Sequence, residues 1–295
     1  MLCGELQFRT PGDDPVPVGP AKKVATPILI LCMALILTGC AGSTKGPPQA
    51  ETKAKAESLK ALGDAHLREG RFRAAMQSYV EADSLTPDDP ELKFRIALVY
   101  ADYFKRLDEA EKFYLEAIRL RKDYSEAYNN LGTVYLRQNR LDEAIGMFRK
   151  ALENLYYPTP ELAYYNLGRA HEEKGEEEKA IEFYEMAIEL RRPYLDPYGR
   201  LGLLYEKKGK YRQALRVFQE LASQLEKKDP KKAKNEEELR ENRASLAGAY
   251  YHQGVCFQKL GRRQEAREAL ERALELAPDG QMKRTVKQAL DSISR

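Results

Sequence analysis

The stretch Leu131-Gly132-Thr133-Val134-Tyr135-Leu136-Arg137-Gln138-Asn139-Arg140-Leu141-Asp142-Glu143-Ala144-Ile145-Gly146-Met147-Phe148-Arg149-Lys150-Ala151 carries the pattern on which the fold turns. Gly132 follows a leucine, Ala144 comes twelve residues later, Phe148 four after that and Ala151 three further on. The same marks recur on both sides. The small residue returns as Gly63, Ala97, Gly132, Gly168, Gly202 and Gly254, at intervals of 34, 35, 36, 34 and 52 residues. Behind it come Ala75, Ala110, Ala144, Ala180, Ala214 and Ala266, then Tyr79, Tyr114, Phe148, Tyr184, Phe218 and Leu270, then Ala82, Ala117, Ala151, Ala187, Leu221 and Ala273. A period of this length decides the architecture before any single element is assigned.

Small residues at the first two positions let paired helices approach closely, and bulky side chains fill what remains. Tyr100, Tyr128, Tyr135, Tyr164, Tyr198, Tyr205 and Tyr250 fall at large positions of first helices and join Tyr79, Tyr114 and Tyr184 on second helices. Ten of the 18 tyrosines are thereby repeat residues, with the ring buried and the hydroxyl free to reach a partner. Gly70, Asn139, Gly175, Gly209 and Gly261 stand seven residues beyond the small position, where a left-handed cap ends the first helix. Copy two has Phe104 there, which predicts a looser turn, and it carries an extra residue around Asp102 to Leu107. Pro87 and Pro278 close second helices, while Pro158, Pro160, Pro193 and Pro197 punctuate the ends of copies three and four.

This pattern resembles the tetratricopeptide repeat, a 34-residue helix-turn-helix unit. The resemblance covers residues 56–280 in six copies, 56–89, 90–124, 125–158, 161–194, 195–228 and 247–280, with a charged insertion at 229–246. The predicted fold class is all-α, a superhelical solenoid of helix pairs. The insertion reads as lengthened helices around a solvated turn near Pro230, with a partner-docking protrusion as the alternative. In residues 281–295, Met282, Val286, Ala289, Leu290 and Ile293 form one apolar stripe between charged residues, which predicts the polar-backed capping helix that a stack of repeats needs. A free amphipathic membrane anchor is the other reading of that segment.

The chain has 295 residues, 43% of them hydrophobic and 32% charged, which supplies a core and excludes a polytopic membrane protein. Lys and Arg number 49 against 46 Asp and Glu, interleaved throughout, so no nucleic-acid footprint is visible. Four cysteines are too few for a disulfide scaffold.

Ahead of the repeats, ten apolar residues from Ile28 to Leu37 follow Lys22 and Lys23. Ten is too short to span a bilayer and fits the apolar region of a secretory signal. The run ends Leu37-Thr38-Gly39-Cys40, which resembles the bacterial lipobox; an ordinary signal or a buried segment with a chance match is the alternative. The lipobox reading makes residues 1–39 a signal segment, Cys40 the lipidated N-terminus and 40–55 a flexible tether. Asp13, Asp14 and four prolines in the first 20 residues are unlike a signal, and translation from Val16 or Val18 would leave one of ordinary length. Ala41, where an aspartate would retain many lipoproteins at the inner membrane, implies the periplasmic face of the outer membrane. Cys256 is then alone and the fold rests on packing.

Catalysis has little to stand on. His66, His171 and His252 lie in three different repeats, and no cysteine pair has zinc spacing. His252 and Cys256 share a helix face, but two ligands do not make a metal site. The glycines read as belonging to the repeat rather than to a phosphate loop, and Glu172, Glu173, Glu176, Glu177 and Glu178 as a solvated run. The expectation is no enzyme, no metal, no cofactor and no small-molecule substrate.

Tetratricopeptide stacks present their first helices to a groove, and by register Phe94, Leu98, Asn129, Thr133, Tyr165, Arg169, Leu203 and Tyr251 line it, suited to an extended or helical peptide of a protein client. The clamp for acidic chaperone tails does not fit: Lys60 matches it, but Asp64, Arg95, Glu126 and Asn130 do not.

The segment from Ala151 to Gly168, with Tyr157-Pro158-Thr159-Pro160-Glu161-Leu162-Ala163 at its centre, resembles the type IV pilus biogenesis and stability lipoproteins, the pilotins, in which such a stretch joins the third and fourth of about six repeats. The resemblance implies that the client is the secretin subunit of the pilus machine, carried to the outer membrane and assembled there. The rival reading is a lipoprotein adaptor that gathers peptidoglycan hydrolases or other envelope enzymes.

Overall fold

The computed structural model describes residues 49–191, 194–228, 235–278 and 280–293. The signal segment, Cys40, the tether up to Pro48, Pro193 and residues 229–234 of the charged insertion, with the turn expected near Pro230, lie outside the described residues. Among the described residues there are thirteen α-helices, one π-helical turn and no strands. Six helix pairs follow one another: α1 (Gln49–Arg68) with α2 (Phe72–Leu85), α3 (Pro90–Leu98) with α4 (Leu107–Leu120), and α5 (Ser125–Arg137) with α6 (Leu141–Leu152). Then come α7 (Pro160–Glu173) with α8 (Glu177–Leu190), α9 (Asp196–Lys207) with α10 (Tyr211–Glu226), and α11 (Glu236–Lys259) with α12 (Arg263–Leu276). The last helix, α13 (Gln281–Ile293), buries Val286 and Ile293 against the sixth pair, as a cap.

The five pairs with glycine at the small position close on one contact. The bulky residue of the second helix lies over the small residue of the first: a Cβ built on Gly63 would meet the Tyr79 ring at 2.4 Å, on Gly132 the Phe148 ring at 2.5 Å, and on Gly254 the Leu270 side chain at 2.6 Å. The small residue thus admits a bulky side chain from its own repeat, a narrower role than general helix approach. Tyr79, Tyr114, Phe148, Tyr184, Phe218 and Leu270 are all buried.

The turns between paired helices share one geometry. Gly70, Asn139, Gly175, Gly209 and Gly261 have φ between 60° and 76°. The amide one residue beyond each donates to the carbonyl five residues back, for example Arg140 to Tyr135 at 2.8 Å and Lys210 to Tyr205 at 2.8 Å, which closes the helix end. Copy two has a wider turn than the others, as predicted for it. Its extra residue is absorbed in a π-helical turn, Val99–Tyr103, and the left-handed residue is Lys105, φ 56°, one place beyond Phe104. Arg106 then closes the turn on Tyr100 at 2.9 Å, six residues back.

Two boundaries differ from the sequence reading. Residues 49–55, read as tether, form the first turns of α1, because the run after Pro48 is Gln, Ala, Glu, Thr, Lys, Ala and Lys, good helix formers apart from Thr52. Residues 236–246, read as insertion, are the start of α11: the Asn235 side chain accepts the Glu238 amide at 2.8 Å, and Glu236, Glu237 and Glu238 complement the helix dipole. Lengthened helices therefore account for the described part of the insertion.

Candidate functional site

From the second repeat on, the first helices carry a polar residue two places before the small one: Arg95, Asn130, Asn166, Arg200 and His252. Four of these reach back to the first helix of the preceding repeat. Arg95 donates to Asp64 at 2.6 Å, Asn166 to Asn129 at 3.1 Å and Arg200 to Glu172 at 3.1 Å, and His252 meets Glu206 at 2.9 Å. Asp64 and Glu172 also accept the hydroxyls of Tyr79 and Tyr184, at 2.6 and 2.5 Å. One carboxylate thereby ties a second helix to the first helix of the next repeat. Burial, and then the Glu172 charge, raise the Tyr184 hydroxyl well above its usual range, so it stays a donor at any physiological pH.

This ladder changes the standing of the predicted groove residues. Asn129 is only 5% exposed and is a rung, bonded to Asn166, rather than a free contact. Thr133 turns its hydroxyl to the Asn129 carbonyl at 3.2 Å. Phe94 packs on Tyr114 and Tyr124, with centroids 5.7 and 5.2 Å apart, and Leu98 is half-buried. Tyr165 and Arg169 do come together: the guanidinium stands 6.0 Å from the ring, which also contacts Tyr184 and Tyr194. Tyr251 sets its ring edgewise to His252. Leu203 is the most open of the eight, at 47% exposure.

Leu203 lies in a cleft of about 550 Å³ between α9 and α11. Asp196, Gly199, Glu241, Gly248 and His252 share its wall, and the Phe218 ring, stacked on His252 at 4.8 Å, and Leu225 form part of its floor. The sequence reading assigned every glycine to the repeat, yet Gly199 and Gly248 sit off the repeat register, and a Cβ at either would meet nothing within 4 Å. That displacement from register was the available signal. Cys256, on the same helix as His252, is fully buried, and burial followed by the Glu206 charge pushes its thiol up to about 12. No group of three or more His, Cys, Asp or Glu side chains among the described residues is placed to hold a metal ion. No described helix is long and apolar enough to cross a membrane.

A second feature lies where copies three and four join. Tyr157 is 6% exposed, packed with Ala151 and Ala163, while the adjacent Leu155 and Tyr156 are 94% and 92% exposed. Asn154 holds the loop by accepting the Tyr156 amide at 3.0 Å and donating to the Asp123 carbonyl at 3.3 Å.

Models of the tetratricopeptide repeat match residues 56–89, 91–156, 129–194, 198–233 and 247–279. The chain is 32% identical over 174 residues to the human protein O-mannosyl-transferase TMTC1, covering 58% of this chain and 19% of that one. It is 25% identical over 167 residues to the type IV pilus assembly protein PilF of Pseudomonas aeruginosa, 56% of this chain and 66% of PilF. The chain thus spans less than a fifth of TMTC1 and just under two thirds of PilF. The crystal structure of PilW, a type IV pilus biogenesis factor, superposes with a TM-score of 0.64 at 22% identity, covering 79% of this chain and 98% of PilW. The protein belongs to the tetratricopeptide-repeat family and is similar in sequence to the type IV pilus assembly protein PilF.

Proposed function

We propose that the protein is a non-enzymatic adaptor of type IV pilus biogenesis, a lipoprotein held by Cys40 at the periplasmic face of the outer membrane, that binds the secretin subunit and assists its localisation and assembly. The similarity to PilF over 167 residues carries this reading. The first-helix face supports it. The rungs join α1 to α3 and run unbroken from α5 to α11, so this face is preorganised and loses little freedom on binding a client. A lipid at Cys40 would add effective concentration, because client and membrane are engaged by one tethered molecule.

The test is the state of the secretin in a strain lacking the gene. Loss of heat-stable secretin multimers, restored by the wild-type gene and not by Cys40→Ser, is the expected result. Normal multimers in the deletion strain overturn the reading, and intact pili with cell-wall defects would point to an adaptor of envelope hydrolases instead.

A further inference from the structure

Gly199, in the first turn of α9, and Gly248, in the interior of α11, are helix glycines that no packing contact of this chain demands. Gly202 and Gly254, on the same two helices, each face a side chain that a Cβ would strike at about 2.5 to 2.6 Å. Gly199 and Gly248 face open space and line the cleft between α9 and α11. Glycine weakens a helix relative to alanine, most in the interior where Gly248 stands, so both positions carry a cost with no return inside the fold. Bare backbone is the return when something else approaches closely.

The walls say what that would be. Leu203 and Leu225 present apolar surface, and Leu203 is half exposed. Asp196 on α9 and Glu241 on α11 flank it, neither with an ion-pair partner among the described residues. The basic residue of the lining, Lys228, donates to the Asn242 side chain at 2.9 Å. His252 faces Glu206 across the repeat junction and stacks on Phe218, which makes it a fixed wall.

We infer that the cleft between α9 and α11 seats a client segment that carries a Lys or Arg next to an apolar side chain. The apolar group covers Leu203 and the floor, the cation lies between Asp196 and Glu241, and the client's main chain approaches the bare helix backbone at Gly199 and Gly248. Acidic segments are repelled by the same two carboxylates. This rests on the reading of the protein as a client-binding adaptor and places the seat at the C-terminal end of the array.

Short overlapping peptides tiled across the envelope proteins of the same genome, probed with the full-length protein, supply the ligands. Bound peptides enriched in Lys or Arg beside Leu, Ile or Phe are expected. Gly248→Leu projects into the cleft from a position where a Cβ meets no atom within 4 Å, so its Tm stays level or rises while affinity for those peptides falls at least about tenfold. The double variant Asp196→Lys, Glu241→Lys should shift binding to the same peptides with Lys replaced by Glu. Peptides that bind Gly248→Leu as tightly as the wild type overturn the cleft and leave the adaptor reading standing. If no peptide binds any form of the protein, both fall.

Discussion

The Tyr184 ring rests on Gly168, where a Cβ would stand 2.5 Å from the ring carbons Cδ1 and Cε1. The same contact joins Gly202 to Phe218, while Gly199, three residues earlier on α9, faces empty space. Opposite outcomes follow on one helix. Gly202→Ala should lower stability by roughly 1 to 3 kcal/mol, because the ring cannot move out of a packed interior. Gly199→Ala should raise it by about 0.5 to 1 kcal/mol through helix propensity and a less flexible unfolded chain. Thermal unfolding of the two single variants checks both signs.

A second contrast lies in three consecutive residues. Tyr157→Ala should cost about 3 kcal/mol or more, since its ring fills the space between Ala151 and Ala163. Leu155→Ser and Tyr156→Ser, at positions more than nine-tenths exposed, should leave stability within about 0.5 kcal/mol of wild type. Denaturant midpoints of the three variants decide it.

These cases mark what was legible beforehand. The glycine-aromatic and alanine positions were readable because each occupies a fixed place in a period of about 34 residues, and one misread copy cannot hide five others. The shift of the left-handed residue from Phe104 to Lys105 was not, because a π-helical turn relocates a residue without changing the composition around it. Nor was the ladder. Its rungs are Arg, Asn, Arg and His, types with no common hydropathy, and each partner lies some 28 to 46 residues away. Asn129 was therefore read as open to a client when it is committed to Asn166, and Gly199 and Gly248 passed unnoticed among glycines that the repeat does need.

Glu176 sets a pH dependence. The Lys179 ammonium, and then His171, hold its carboxyl down to about 2 against an ordinary 4.5. A carboxyl depressed in the folded state adds stability that is complete above pH 4.5 and disappears as the pH falls towards 2. Glu176→Gln should accordingly lower Tm at neutral pH, with the gap to wild type closing between pH 4.5 and 2. Because the carboxylate is partly exposed, added salt should shrink the gap. A gap that persists unchanged at pH 2 would show that the substitution acts through packing.

Cys256 should behave as an inert thiol. It is fully buried with its pKa raised to about 12, so almost no thiolate exists at pH 8. Iodoacetamide at that pH should leave the native thiol unmodified and alkylate it on unfolding in guanidinium chloride. Rapid alkylation of the folded protein would place the thiol at the surface.

Glu172 is the point where one repeat is tied to the next, accepting from Tyr184 of its own repeat and from Arg200 of the following one. Its two partners differ in what they lose without it. Arg200 is 40% exposed and regains water, so Arg200→Met should cost only about 0.5 to 1 kcal/mol, the worth of a partly screened ion pair. The Tyr184 ring is fully buried and its hydroxyl has no such recourse. Glu172→Leu should therefore cost about 2 kcal/mol, most of it the penalty of an unsatisfied buried donor. The decisive variant is Tyr184→Phe in the Glu172→Leu background, which removes the orphaned hydroxyl and should recover about 1 kcal/mol or more. If Tyr184→Phe destabilises the wild type and the Glu172→Leu protein equally, the hydroxyl and the carboxylate are not coupled, and the ladder contributes nothing beyond the packing of the rings.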